Sequence, residues 1–221
     1  MSKVKKFGLV TSLTIQFTML HQNVAANFNA PIESPMFTDV DVVDLRYHFR
    51  KLHNGRGEVV DIRLPHDSSR YPQVRLPRMK APFGIQDAMN ATPNSAKNFE
   101  LEIADEELIQ FFQRWDERNI EFLTINSARY LGKNMNEDTV RSKFNSLILP
   151  SKNTDYYSRC RVKVNEKTCI WVEQVDGSFV RGSVRDVQAR RDFMVTVAPL
   201  VYKVGGGCGL SLQCTEIRVL Q

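Results

Sequence analysis

Short runs in which apolar positions alternate with polar ones dominate this chain. Val42 to Phe49, Glu58 to Leu64, Phe99 to Ile103, Arg159 to Val164, Ile170 to Glu173, Phe193 to Val204 and Leu210 to Leu220 are rich in β-branched and aromatic residues and bounded by turn formers, so each predicts a strand. Asp176-Gly177, set between Trp171-Val172 and Phe179-Val180, predicts a hairpin, because Gly tolerates the positive φ that tight strand reversals need. Gly205-Gly206-Gly207-Cys208-Gly209 joins the last two strands. No Lys-Ser/Thr pair and no helix follow it, which makes it a hairpin tip or bulge rather than a phosphate loop.

One stretch changes period. Leu108, Phe111, Phe112 and Trp115 recur at helical spacing, and Asp105, Glu106 and Glu107 precede them, where a helix dipole favours negative charge. This predicts a long helix near 105–130, with a second short one from Asn136 to Phe144. Its aromatic stripe forms a single face and reads as core. At the N-terminus, Lys3, Lys5 and Lys6 precede an apolar run from Phe7 to Leu20, and Val24-Ala25-Ala26 resembles a cleavage site. Thr11, Ser12, Thr14, Gln16 and Thr18 interrupt that run, which reads better as an alternating strand than as a signal peptide. No segment reaches the roughly 20 apolar residues of a membrane span.

With 221 residues, 42% of them hydrophobic, the chain can build a real core. Its net charge of +5 permits a polyanionic partner without demanding one. Distribution is more informative: the net charge is +1 over residues 1–40, +4 over 41–80, −4 over 81–150 and +4 over 151–221. The acidic middle would repel a phosphate backbone, and both flanks would attract one. Cys160, Cys169, Cys208 and Cys214 form no closely spaced ligand pair, and His21, His48, His53 and His66 all lie far from them in sequence. A zinc site is therefore not expected, and buried reduced thiols in an intracellular protein are. No nucleophile, metal or phosphate-loop constellation is present, so neither an enzyme nor a cofactor is expected; Asp41/Asp44 and Asp105/Glu106 read as ordinary surface carboxylates.

The candidate chemistry is cationic and aromatic. RYPQVRLPRMKAPFGI, residues 70–85, compresses four Arg/Lys, three prolines and two aromatics into sixteen residues. Cations neutralise phosphates, rings offer faces to unstacked bases, and prolines keep the backbone extended at low entropic cost. A solvated edge strand running into a turn has the same composition. In RCRVKV, period two places Cys160, Val162 and Val164 on one face and Arg159, Arg161 and Lys163 on the other, at a spacing of about 6.6–7 Å that roughly matches successive phosphates of an extended strand. Tyr156 and Tyr157 precede this strand. Arg181, Arg185, Arg190 and Arg191 follow the Asp176-Gly177 hairpin as a basic loop.

The order RLPRMKAPFGI, Asn98 to Ile103, DEELIQFFQRWDE, RCRVKV and a closing GGGCGLSLQCTEIRVL resembles the single-stranded-DNA-binding proteins of large nucleocytoplasmic DNA viruses, especially the algal-virus group, which are related to a phage OB-fold family. The resemblance covers roughly residues 70–221. It implies a mainly β fold, an OB-fold-like Greek-key barrel with an inserted α-helix, formed by residues 41–221 with the helical insertion at 104–146, behind an N-terminal arm and β extension over 1–40. It also implies non-catalytic, sequence-tolerant single-stranded DNA binding in viral replication, recombination or repair, with viral replication proteins and a homodimer as further partners. The matching positions are Arg75, Arg78, Lys80 and Phe83, then Arg159, Arg161 and Lys163. Phe83 is either a base platform or a plug in the barrel end. The phage relatives typically end in an acidic tail closed by an aromatic residue. This chain ends at Leu220-Gln221, which argues against recruitment through such a tail. The alternative is a structural or scaffold barrel of a virus particle, using the arm from Phe28 to Thr38 for protein contacts or strand exchange.

Overall fold

The longest apolar runs build the longest ladder. In the computed structural model, which describes residues 30–31, 33–51, 58–65, 71–87, 92, 95–151, 153, 155–204 and 206–221, the strands run in chain order Arg46–Lys51 (β1), Glu58–Arg63 (β2), Val74–Arg75 (β3), Met79–Lys80 (β4), Lys97–Ile103 (β5), Phe144–Asn145 (β6), Ile148–Leu149 (β7), Ser158–Val164 (β8), Cys169–Glu173 (β9), Phe179–Arg181 (β10), Asp192–Val204 (β11) and Gly207–Val219 (β12). Helices Glu106–Ile125 (α1), Ser127–Tyr130 (α2) and Glu137–Arg141 (α3) lie between β5 and β6. The strand expected over 7–20, and with it the N-terminal β extension, lies outside the described residues, as do Arg70 and Gly205.

β12 organises the sheet. It pairs antiparallel with β11 along its whole length, and parallel with β6, β8 and β9 in succession, at Gly209 opposite Asn145, Leu212 opposite Val162 and Ile217 opposite Ile170. β8 pairs antiparallel with β5, while the other edge of β11 takes β3 and β4. The path β5–β8–β12–β11–β4 curls until β4 packs back beside β5. This is a mainly β, OB-fold-like Greek-key barrel with a helix inserted between β5 and β8. β9 and β10 extend the sheet past β12, and β1 and β2 form a separate hairpin packed against β11 and α1, where Tyr47 stacks on Phe122 at 4.6 Å.

The helical stripe is buried as its period requires. Leu108, Phe111, Phe112 and Trp115 join the core, while Phe99 meets Phe193 edge-to-face at 5.1 Å inside the barrel. Asp105 caps α1 by accepting from the Glu107 and Leu108 amides at 2.8 and 3.4 Å. Asn126 ends it, and its side chain donates to the Phe122 carbonyl at 2.9 Å. Met36 forms a parallel bridge to Arg75, and Phe37 packs against Phe111, so the described part of the arm docks on its own barrel.

Two elements are shorter than the apolar pattern suggests. β1 begins at Arg46 rather than Val42, because the Asp41 carboxylate accepts from the Val43 amide at 3.0 Å and holds residues 42–44 in a turn. α3 stops at Arg141 rather than reaching Phe144, because the Lys143 carbonyl accepts from the Cys208 amide and draws Phe144 into β6. Trp171 is buried, yet it stands apart from the main apolar cluster, with its Nε1 donating to Glu216 Oε2 at 3.2 Å. All four cysteines are free thiols; three are buried and Cys169 is half-buried, and burial pushes the Cys160 pKa up to about 12.

Asp116 ties α1 to the barrel. Its carboxylate accepts from Ser146 Oγ at 2.6 Å and from the Leu147 amide at 3.0 Å, and burial raises its pKa to about 6 against these opposing hydrogen bonds. The folded state therefore holds the proton more tightly than the unfolded chain. That contribution is complete below the ordinary aspartate value and is lost as pH rises through about 6. Urea unfolding at a series of pH values should show the protein losing about 2 kcal/mol relative to Asp116→Asn between pH 4 and 7. Parallel stability curves would show that Asp116 titrates normally.

Candidate nucleic-acid interface

The outer surface of the β5–β8 ladder is set by two matching alternations. On β5, Phe99, Leu101 and Ile103 point inward, which leaves Asn98, Glu100 and Glu102 outside; on β8, Cys160, Val162 and Val164 point inward, which leaves Arg159, Arg161 and Lys163 outside. The antiparallel register sets Asn98 opposite Lys163, Glu100 opposite Arg161 and Glu102 opposite Arg159. The Glu100 carboxylate accepts from Arg159 Nη1 at 2.7 Å and from Arg161 Nη2 at 2.6 Å, so two of the three cations share one acid. Lys163 Nζ donates to Asn98 Oδ1 at 2.6 Å; its half-buried position, and after it the nearby Arg161 charge, lower its pKa. The basic stripe is therefore partly neutralised by its neighbouring strand rather than freely solvated.

Phe83 stands beside this surface on the turn after β4. Ala81 exchanges backbone hydrogen bonds with the loop after β10, donating to the Arg191 carbonyl at 3.3 Å and accepting from the Arg190 amide at 2.7 Å. Gly84 lies so close to that loop that a Cβ there would come within 3.1 Å of the Val187 carbonyl oxygen, a tight approach that favours glycine. The Phe83 ring is 44% exposed, and the Arg159 guanidinium sits 5.9 Å from its centre. At this exposure Phe83 is not a buried plug of the barrel end, and part of its ring is open to solvent. Exposed Arg190, with φ at +64°, and exposed Arg191 lie in the contacting loop.

Below the N-terminal end of β8 a recess of about 480 Å³ opens, lined by Arg78, Lys80, Tyr157, Glu102, Asp105 and Asp192 over an apolar floor that includes Leu108. Tyr156 and Tyr157 are both well exposed, and Tyr157 continues the two-residue phase of Arg159, Arg161 and Lys163. Arg78 is occupied by Asp192 at 2.8 Å and by the Gln221 carbonyl at 3.2 Å. Arg75 is held by Glu33 at 2.9 Å and by the Met36 sulfur, with its side chain largely covered. Arg181 lies over the Trp171 ring at 5.2 Å on the far edge strand, and Arg185 is exposed on the 3-10 turn Val184–Asp186. The structure thus gathers Lys80, Phe83, Tyr157, Arg159, Arg161 and Lys163 around one surface, and holds Arg75 and Arg181 in other contacts.

No family model matches the chain, and no curated protein matches it. Solved structures of phage single-stranded-DNA-binding proteins align with it. One is gp2.5, a single-stranded-DNA-binding protein encoded by bacteriophage T7, with a TM-score of 0.49 and 10% identity, covering 67% of this chain and 91% of that one. Another is the protein from bacteriophage Enc34 in complex with single-stranded DNA, with a TM-score of 0.45 and 8% identity, covering 66% of this chain and 85% of that one. A C-terminal truncation of the Enc34 protein gives 0.46 and 8%, covering 82% and 97%. At these values the likeness concerns the path of the chain only. No helix among the described residues is long and apolar enough to cross a membrane.

Glu100 and Asn98 are the residues that reading β8 by itself does not reveal. Their signal lies in the matching alternation of KNFELEI and SRCRVKV. Glu100 also changes what a substitution does, because its side chain is only 13% exposed and depends on both arginines. Removing Arg159 and Arg161 together should cost about 1–3 kcal/mol of stability by stranding that carboxylate, and adding Glu100→Gln should recover much of the loss. Denaturant unfolding of the double and triple variants checks this. Equal stabilities for the two would show that Glu100 is solvated without its partners.

Proposed function

We propose that this protein is a non-catalytic, sequence-tolerant single-stranded-DNA-binding protein that serves viral DNA replication, recombination or repair. One observation carries the reading: an outward-facing Phe83 beside Arg159, continuous with Arg161 and Lys163 at a two-residue period on β8 and with exposed Tyr157 at its end. Cations at that spacing match the phosphates of an extended strand, and exposed rings reward bases that are already unstacked. A duplex would present phosphates but no free base faces. In this arrangement a strand runs along the outer surface of β8, with its phosphates on Arg161, Lys163, Lys80 and the Arg190–Arg191 loop and one base on Phe83.

Both tryptophans are buried, so a labelled oligonucleotide reads binding better than intrinsic fluorescence. Fluorescence polarisation with an unstructured oligothymidine should show affinity falling with salt, by about 0.7 log units per log unit of salt for each phosphate neutralised. Lys80→Ala with Lys163→Ala should flatten that dependence. Phe83→Ala should weaken binding by about 5- to 100-fold with the salt dependence unchanged, because stacking releases no counterions. Absence of binding at low salt contradicts the reading, and a Phe83→Ala protein that binds normally places the base platform elsewhere.

A further inference from the structure

The recess at the end of β8 holds chemistry that a phosphate groove does not need. Of its three carboxylates, Asp105 caps α1 and Asp192 pairs with Arg78. Glu102 stands opposite Arg159 in register, yet Arg159 turns to Glu100, and among the described residues the Glu102 side chain makes no ion pair or hydrogen bond. The Lys80 side chain is likewise unpaired there and exposed. Tyr157, 60% exposed, forms a wall of the same recess. An unpaired acceptor, an unpaired cation and an aromatic face therefore converge on one space of about 480 Å³, large enough for a nucleobase.

The geometry points to a base-selective subsite, in which this recess receives one amino-bearing nucleobase, cytosine, adenine or guanine, of the bound strand. The inference rests on the single-strand reading above. Tyr157 lies in phase with Arg159, Arg161 and Lys163, so a strand that follows β8 arrives at the recess with its next nucleotide. There Lys80 takes the phosphate, Tyr157 takes the base face, and Glu102 takes the base edge. An ionised carboxylate only accepts hydrogen bonds. Cytosine N4, adenine N6 and guanine N2 each offer an amino donor, whereas thymine and uracil have none, and their one edge donor, N3–H, is flanked by the O2 and O4 acceptors that a carboxylate repels. The result is a modest preference at one position within otherwise sequence-tolerant binding.

Labelled 12-residue oligocytidine and oligothymidine deoxynucleotides, titrated at pH 7.5 and one fixed salt concentration, test the subsite. The protein should bind oligocytidine about 5- to 10-fold more tightly, the scale of one net hydrogen bond exchanged against water. Glu102→Gln should bring the ratio of the two affinities to about one, with oligothymidine binding unchanged or tighter, because an amide donates to O4 as well as accepting. Tyr157→Ala should weaken both ligands. Equal binding of the two oligonucleotides by the unaltered protein, or a preference that survives Glu102→Gln, overturns the subsite and leaves the single-strand reading intact. Failure to bind either oligonucleotide at low salt overturns both.

Discussion

The fold depends on β12 keeping one face in the core while it serves β11 on one edge and β6, β8 and β9 on the other. Strict alternation fails to do this over thirteen residues, since Leu210, Leu212 and Cys214 share one parity and Ile217 and Val219 the other. A bulge resolves the conflict. Thr196 pairs with Glu216 and Val197 with Cys214, which leaves Thr215 as the extra residue, and its hydroxyl donates to the Thr196 carbonyl at 3.2 Å. The bend it introduces lets the first half of β12 face β8 and the second half face β9. The barrel closes where β4 packs beside β5, and the outer stripe of β8 thereby lies beside the turn that carries Phe83.

The electrostatics of that surface follow from the same pairing. A basic strand placed against an acidic one in antiparallel register neutralises part of its own charge, here through the Glu100 carboxylate shared by Arg159 and Arg161. Such an arrangement fixes the guanidinium planes before a ligand arrives, and it limits how many counterions a bound strand releases. In the proposed binding mode, stacking on the exposed Phe83 and Tyr157 rings would therefore add to charge. Arg75 and Arg78, which the composition of residues 70–85 groups with Lys80, serve instead to fasten Glu33 and Asp192 to the sheet.

Much of this architecture is legible in the sequence. Period two marks the longer strands, including β1, β2, β5, β8, β11 and β12, and period 3.6 marks α1. The short strands β3, β4, β6 and β7 are not, because two residues carry no periodicity and their pairing is decided by tertiary neighbours. At the site, the candidate cations are legible by type but not by availability. Whether an arginine is free or spent depends on partners more than a hundred positions away, as Arg78 and Asp192 illustrate. The exposure of Phe83 belongs to the same class, since it follows from where the Arg190–Arg191 loop meets Ala81.

In the proposed binding mode a single strand lies along the outer surface of β8, with bases against Phe83 and Tyr157. Photocrosslinking of a bromodeoxyuridine-substituted oligonucleotide, followed by mass spectrometry of the linked peptides, tests this directly. Adducts are expected on the peptides that carry Phe83 and Tyr157. Adducts confined to α1, or to the Trp171 and Arg181 edge of the sheet, would contradict it.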